Sequence, residues 1–116
     1  MNTKRVLLVE DNDAARTALS HLLSDEGYEV IARGSAEEAQ AVTDHSQPDI
    51  AILDVRLPGR FGDEFGRELS QKYVHVRVIF LTAESVTDHL GEYVPGATVL
   101  RKPVDVDALL RLLVAA

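Results

Sequence analysis

The chain has 116 residues, of which 46% are hydrophobic and 27% charged, a composition that is ordinary for a globular protein. Its length predicts one domain over residues 1–116, large enough to bury its own hydrophobic core. Twelve basic against 19 acidic residues give a net charge of −7, which argues against direct nucleic-acid binding because phosphates require a basic surface. The chain contains no cysteine, so disulfides and thiolate metal sites are excluded.

The beginning of the chain has no apolar segment of the kind found in signal peptides, because charged residues lead directly into the first short apolar run. No apolar run approaches the ~20 residues that a membrane-spanning helix needs. We therefore expect a cytoplasmic protein that does not insert into membranes.

The first half of the chain alternates apolar strands with amphipathic helices. Residues 6–9 are predicted to form a strand, and a helix follows that either Asn12 or Asp13 can cap. Helical spacing places apolar residues on one face of this helix at Ala15, Ala18, Leu19, Leu22 and Leu23. Residues 28–32 are predicted as a second strand, and a capping-box pattern predicts a second helix over residues 35–44.

The second half continues the same alternation. Residues 50–54, 76–81 and 97–100 are predicted strands, and residues 58–62 are predicted to form a loop. Three helices are predicted, the first striped by Phe65, Leu69 and Tyr73, the short second by Val86, Leu90 and Tyr93, and the last by Val106, Leu109, Leu110 and Leu113.

Five strands that alternate with five helices predict a single doubly wound α/β fold with a parallel sheet, most economically in the flavodoxin-like order 2-1-3-4-5. In that order the first and third strands are neighbours, and ligands bind beside their carboxyl ends. Polar residues stand at the ends of four of the strands, namely Glu10, Asp11, Asp54, Thr82 and Lys102. We expect these side chains to meet at one edge of the sheet.

Three carboxylates in one crevice repel one another and raise each other's pKa unless a cation neutralises them. An all-oxygen donor set suits Mg²⁺ or Mn²⁺ rather than Zn²⁺. A carboxylate beside such an ion can attack phosphorus and form an aspartyl phosphate, while Thr82 and Lys102 hold the phosphoryl oxygens. Each residue also has an ordinary structural explanation, since acids cap helices and turns and Lys102-Pro103 can form a turn.

In combination, these residues resemble the motifs of a response-regulator receiver domain over essentially the whole chain. The matching residues are Glu10-Asp11, Asp54, Pro58-Gly59, Gly62, Thr82-Ala83 and Lys102-Pro103. The resemblance implies phosphotransfer to Asp54 from a sensor histidine kinase or a His-containing phosphotransfer protein, with no separate substrate turned over.

The same resemblance implies the composition of a metal site. Asp11 and Asp54 would bind Mg²⁺ directly together with the backbone carbonyl of Arg56, and Glu10 would act through a water molecule. Mn²⁺ could replace Mg²⁺ at such a site.

The resemblance also implies how the phosphoryl group would be held and read. Thr82 would rotate toward it, Lys102 would pair with it, and the Lys102-Pro103 peptide bond would be cis, which X-Pro bonds permit. The surface near the fourth and fifth strands would then change, and an output partner that the sequence does not identify would bind the two surfaces with different affinity.

Two features depart from the family pattern. Val99 occupies a position that usually holds Tyr or Phe, and the segment from Thr82 to Lys102 is short. We therefore expect output by steric docking or release of a partner, without an aromatic switch. Arg56, Ala83 and Glu84 flank the site, where an Arg56–Glu84 pair would restrict water and slow self-dephosphorylation.

Two alternatives remain open at this stage. One is a receiver-like interaction module that is not phosphorylated, and the other is a haloacid-dehalogenase-like phosphatase with Asp11 as nucleophile and Asp13 as acid and base. The intact set of Asp11, Asp54, Thr82 and Lys102 argues against the interaction module. Against the phosphatase, Glu10 interrupts the apolar run, the chain is short for that class, and no acidic pair follows Lys102. The expected oligomeric state is a monomer or a weak dimer.

Overall fold

A five-stranded parallel sheet forms the centre of the computed structural model, which describes residues 4–57, 59–83 and 94–114. The strands are β1 (Arg5–Val9), β2 (Glu29–Arg33), β3 (Ile50–Asp54), β4 (Arg77–Thr82) and β5 (Thr98–Arg101). Their order is β2-β1-β3-β4-β5, which confirms the predicted topology. The carboxyl ends of all five strands therefore lie at the same edge of the sheet.

The helices pack on both faces of this sheet. They are α1 (Asp13–Asp25), α2 (Ala36–Thr43), α3 (Gly62–Lys72) and α4 (Val106–Val114). The short helix predicted around Val86, Leu90 and Tyr93 lies outside the described residues, so four of the five predicted helices are described. None of these four has the combination of length and apolar character that a transmembrane helix needs.

Local side-chain caps begin three of the described helices, including α4, where Asp105 Oδ1 accepts a hydrogen bond from the Ala108 N–H at 3.1 Å. The Asn12 side chain accepts a hydrogen bond from the Ala15 N–H at 2.9 Å, so Asn12 rather than Asp13 caps α1. At α2, the Ser35 hydroxyl accepts from the Glu38 N–H at 3.2 Å. The Glu38 carboxylate reaches back to the Gly34 N–H at 3.1 Å, one residue earlier than the standard capping box.

Both predicted ends of the third helix are wrong. Helix α3 begins at Gly62, within the predicted loop, and ends at Lys72 before Tyr73. The Tyr73 hydroxyl instead donates to the Thr43 carbonyl at 2.5 Å, which ties the end of α3 to α2. Val106 lies in the last helix as predicted, but it is 37% exposed because it occupies the first turn of α4 on the solvent side. Ala18 is likewise exposed on α1.

Alternate strand residues contribute to two separate core layers. Leu8 and Ile52 pack with residues of α1 and α4, whereas Leu7 and Leu53 pack with residues of α2 and α3. Every residue of β3 is buried, so this strand is covered on both faces, as its uninterrupted apolar run predicts. Asp54 is consequently delivered to the sheet edge by the most enclosed strand.

Helix α3 approaches the sheet closely at Gly66. A Cβ atom at this position would lie 2.8 Å from Phe80 Cζ and 3.1 Å from Leu53 Cδ1. Phe80 and Leu53 are both fully buried, so their side chains have little room to move aside.

We expect Gly66→Ala to lower the free energy of unfolding by about 1–2 kcal/mol, because the overpacking penalty exceeds the gain in helix propensity. Urea denaturation followed by circular dichroism measures this change. Gln71→Ala on the exposed face of the same helix is the control and should change stability by less than about 0.5 kcal/mol. A Gly66→Ala variant as stable as the wild type would contradict the close approach.

Candidate functional site

The polar residues predicted to meet at the sheet edge do meet there. Glu10 follows β1, Asp54 ends β3 and Thr82 ends β4, and all three side chains are buried. Lys102 follows β5, the strand at the edge of the sheet next to β4. Residues more than 90 positions apart in the chain are thereby in direct contact.

The Lys102 ammonium group connects two buried carboxylates. Its Nζ atom donates to Asp54 Oδ2 at 2.7 Å and lies 3.1 and 3.3 Å from the two carboxylate oxygens of Glu10. The other oxygen of Asp54, Oδ1, accepts from the backbone N–H of Arg56 at 3.1 Å. Each oxygen of the Asp54 carboxylate therefore has a donor, which fixes the orientation of the group.

Burial and mutual repulsion change the protonation of this cluster. Burial is the main reason that the pKa of Glu10 rises from 4.5 to about 7, and interaction with Asp54 raises it further while Lys102 opposes the shift. Burial alone would lower the pKa of Lys102, but its bonds to Asp54 and Glu10 outweigh this and raise the pKa overall. Lys102 thus stays charged, whereas the raised pKa of Glu10 means that this group takes up a proton more readily than a free carboxyl group.

Glu10, Asp11 and Asp54 form a group with the geometry of a cation site. Each offers one carboxylate oxygen, and these three oxygens lie within 4.8 Å of one another. Asp11 is exposed while the other two are buried, so the group opens to solvent on one side. A set of hard oxygen donors open to solvent fits Mg²⁺, which retains water molecules when it binds proteins.

The loop after Asp54 is held against the strand by backbone contacts. The Gly62 N–H donates to the Val55 carbonyl at 2.7 Å, and Arg56 pairs with Phe61 in an antiparallel bridge. A Cβ atom at Gly62 would lie 1.8 Å from the Asp54 carbonyl oxygen. Any side chain at position 62 would therefore displace the backbone that carries Asp54.

The remaining predicted site residues fall around this centre. The Thr82 carbonyl accepts from the Lys102 N–H at 2.7 Å, and the Lys102-Pro103 bond is cis. Ala83 is exposed, whereas Glu84 lies outside the described residues. Val99 is half-buried and packs against the core layer shared with α2 and α3.

One residue in contact with the site does not emerge from the sequence patterns. Arg16 lies on α1, and its Nη1 atom donates to the Glu10 carbonyl at 2.8 Å. Side chains in a helix lean toward its N-terminus, so a long cationic side chain in the second helical turn can reach the preceding strand end. That geometry is the signal by which Arg16 could have been found.

Comparisons with known proteins identify the family. A family model described as the response regulator receiver domain matches residues 6–114. Nodulation protein W of Bradyrhizobium diazoefficiens is 35% identical over 113 residues, which cover 96% of this chain and 50% of that protein. Sporulation initiation phosphotransferase F of Bacillus subtilis is 27% identical, with 94% and 90% of the two chains covered.

Solved structures show the same similarity. Chemotaxis protein CheY4 of Vibrio cholerae superposes with a TM-score of 0.88 at 31% identity, covering 97% of each chain. Response regulator TrrA of Thermotoga maritima, solved in complex with Mg²⁺-BeF, gives 0.84 at 30% identity, covering 96% of each chain.

The chain spans half or less of the length of several curated relatives, including 42% of PdtaR of Mycobacterium tuberculosis. The family match nevertheless covers nearly all of this chain, and the sheet order and the acidic cluster agree with it. Receiver domains bind Mg²⁺ at an acidic site and do not turn over a separate substrate. The chain belongs to the family of response regulator receiver domains, the signalling modules of two-component systems.

Proposed function

We propose that Asp54 accepts a phosphoryl group from the phosphohistidine of a sensor kinase or phosphotransfer protein, in a reaction that requires a divalent cation. The observation that carries this proposal is the 2.7 Å contact between Lys102 Nζ and Asp54 Oδ2 beside two further carboxylates. A buried carboxylate held by fixed donors and open to solvent on one side is suited to attack an incoming phosphoryl group.

Asp11 and Asp54 would hold Mg²⁺ or Mn²⁺ directly, with the backbone carbonyl of Arg56 as a further ligand and Glu10 acting through water. When bound, the cation would neutralise the carboxylates and stabilise charge on the phosphoryl oxygens. The all-oxygen donor set and the exposure of Asp11 support this assignment.

In the reaction, one Asp54 oxygen forms a bond to phosphorus while the P–N bond of the donor breaks and its electron pair stays on the imidazole nitrogen. Lys102, already in contact with Asp54, pairs with a phosphoryl oxygen as the negative charge moves outward. Thr82, at the end of the neighbouring strand, turns its hydroxyl toward a second phosphoryl oxygen. Hydrolysis of the resulting acyl phosphate by water returns the domain to its starting state.

Phosphorylation would be read at the β4–β5 edge. The Lys102 N–H donates to the Thr82 carbonyl, so movement of either residue is transmitted to both strand ends. A partner that binds the two forms with different affinity detects the change. Because Val99 is a half-buried aliphatic residue, output proceeds by docking or release of that partner without an aromatic switch.

The remaining properties follow from this role. We propose one receiver domain over residues 1–116, acting in the cytoplasm as a monomer or weak dimer. Arg56, whose side chain is exposed beside the site, would slow the access of water to the phosphoryl group. The phosphatase alternative based on Asp11 and Asp13 assigns no role to the contact between Asp54 and Lys102, and we do not favour it.

We expect the protein to gain the mass of one phosphoryl group when it is incubated with a small-molecule phosphodonor and Mg²⁺. Intact-mass spectrometry measures the adduct. Asp54→Asn should abolish it because the nucleophilic oxygen is lost, and EDTA should suppress it in the wild type.

Asp13→Asn is the matched control for the first experiment and is measured at saturating Mg²⁺, because Asp13 pairs with Arg16 beside the site. It removes the acid that the phosphatase alternative requires, and the receiver should still form the adduct. Repeated turnover of the phosphodonor through Asp11 would support the phosphatase instead. An unmodified wild-type protein would support the interaction module.

The stability of the metal-free protein should depend on pH through Glu10. Folding raises the pKa of this group from 4.5 to about 7, chiefly by burial, so the folded state holds the proton more tightly. Its stabilising contribution is fully present below pH 4.5 and is lost as the pH rises through 7. Between these values, the wild type should lose roughly 1–3 kcal/mol more unfolding free energy than Glu10→Gln.

Urea denaturation in EDTA at a series of pH values measures this difference. Glu10→Gln is the reference for the wild type in this comparison, because it keeps the shape of the side chain and removes the titrating group. Parallel stability profiles for the two proteins would show that Glu10 does not titrate in this range.

A further inference from the structure

We propose that Arg16 is a positioning residue for the cation site, in that its guanidinium group fixes the turn that carries Glu10 and Asp11. This inference rests on the proposed function, since it concerns how tightly the domain holds the divalent cation. It assigns a role to a helix residue outside the group of carboxylates.

The peptide group between Glu10 and Asp11 is held by a side chain. Strand β1 ends at Val9, and the Glu10 N–H still donates to the Arg33 carbonyl of β2 at 3.1 Å. The Glu10 carbonyl accepts from Arg16 Nη1 at 2.8 Å. Glu10 is therefore anchored on one side by the sheet and on the other by helix α1.

This anchoring determines the direction in which the backbone enters Asp11. The Glu10 carbonyl and the Asp11 nitrogen belong to one planar peptide unit, so fixing the carbonyl also fixes the direction in which the chain continues. Core packing does not enclose the Asp11 side chain, which is exposed, whereas Glu10 and Asp54 are buried. Of the three carboxylates, Asp11 depends most on the orientation of that peptide.

The guanidinium group is itself held in place. Its Nη2 atom pairs with Asp13 Oδ1 at 2.5 Å, and the side chain is only 24% exposed. A Cβ atom at Gly34 would lie 3.1 Å from Nη1, so the turn between β2 and α2 closely abuts Arg16. A side chain with two bonds and restricted space is preorganised for the contact with Glu10.

Electrostatics and positioning predict opposite effects of removing Arg16 on the affinity for Mg²⁺. A positive charge beside a cation site disfavours the cation, so losing that charge should strengthen Mg²⁺ binding. Losing the anchor should weaken it, because ordering the turn would then oppose binding. The sign of the change in affinity therefore separates a positioning role from a bystander charge.

Arg33 supplies a matched control. Arg33 lines the same groove as Arg16 beside α1, and its guanidinium group donates to the Ala32 carbonyl at 2.7 Å. Arg33→Met removes one positive charge from this groove but keeps the backbone carbonyl that accepts from Glu10. Arg16→Met removes the same charge together with the anchor, and Arg16→Lys keeps the charge while losing the two-pronged geometry.

Isothermal titration calorimetry with MgCl₂ at constant pH and ionic strength tests the proposal. We expect Arg16→Met to raise the Kd for Mg²⁺ about tenfold, as for other groups that orient metal ligands from outside the site. Arg16→Lys should lose less affinity for Mg²⁺ than Arg16→Met. Arg33→Met should bind Mg²⁺ as tightly as the wild type or more tightly. Gly34→Ala should also weaken binding, by less than Arg16→Met, because it pushes Nη1 away from its position.

Circular dichroism and thermal unfolding in EDTA verify that each variant is folded at the titration temperature. If Arg16→Met does not fold, Gly34→Ala and Arg16→Lys decide the question, since neither removes the cationic side chain. Unchanged or tighter Mg²⁺ binding by the folded Arg16 and Gly34 variants would overturn the positioning role alone. A wild-type protein that neither binds Mg²⁺ nor is phosphorylated at Asp54 would overturn the proposed function and this inference together.

Discussion

The ammonium group of Lys102 between Asp54 and Glu10 is the interaction on which the arrangement of the sheet edge depends. Two adjacent buried carboxylates would strongly destabilise a folded protein without a nearby cation. Lys102 supplies that cation in the metal-free protein through contacts of 2.7 Å to Asp54 and 3.1 Å to Glu10. The lysine follows the last strand, Glu10 follows the first and Asp54 ends the third, so this neutralisation requires the complete strand order.

Those features of the fold and the site that depend on short, repeated patterns could be predicted from the sequence. The uninterrupted apolar run ending at Asp54 indicated a strand covered on both faces, and β3 is that strand. The parallel topology then placed the polar strand ends together without any knowledge of side-chain contacts. The pattern Ser35 to Glu38 located the start of α2 because capping is a local interaction.

Features that depend on approaches between distant parts of the chain could not be predicted in this way. The start of α3 at Gly62 follows from a backbone contact with β3, and the position of Tyr73 follows from its bond to Thr43. The bond from Arg16 to Glu10 and the sharing of Lys102 between two acids are likewise contacts across elements. Residue identity alone does not specify such distances.

The absence of a side chain at Gly62 has a mechanical consequence. Backbone contacts backbone there, since the Gly62 N–H donates to the Val55 carbonyl and a Cβ atom at Gly62 would lie 1.8 Å from the Asp54 carbonyl oxygen. A contact between main-chain atoms cannot be relieved by a change of side-chain rotamer. The first turn of α3 and the backbone of Asp54 are consequently in direct contact, so neither can be displaced toward the other. A displacement of α3 would thus reach the main chain of Asp54 through the backbone alone, with no side chain between them to absorb it.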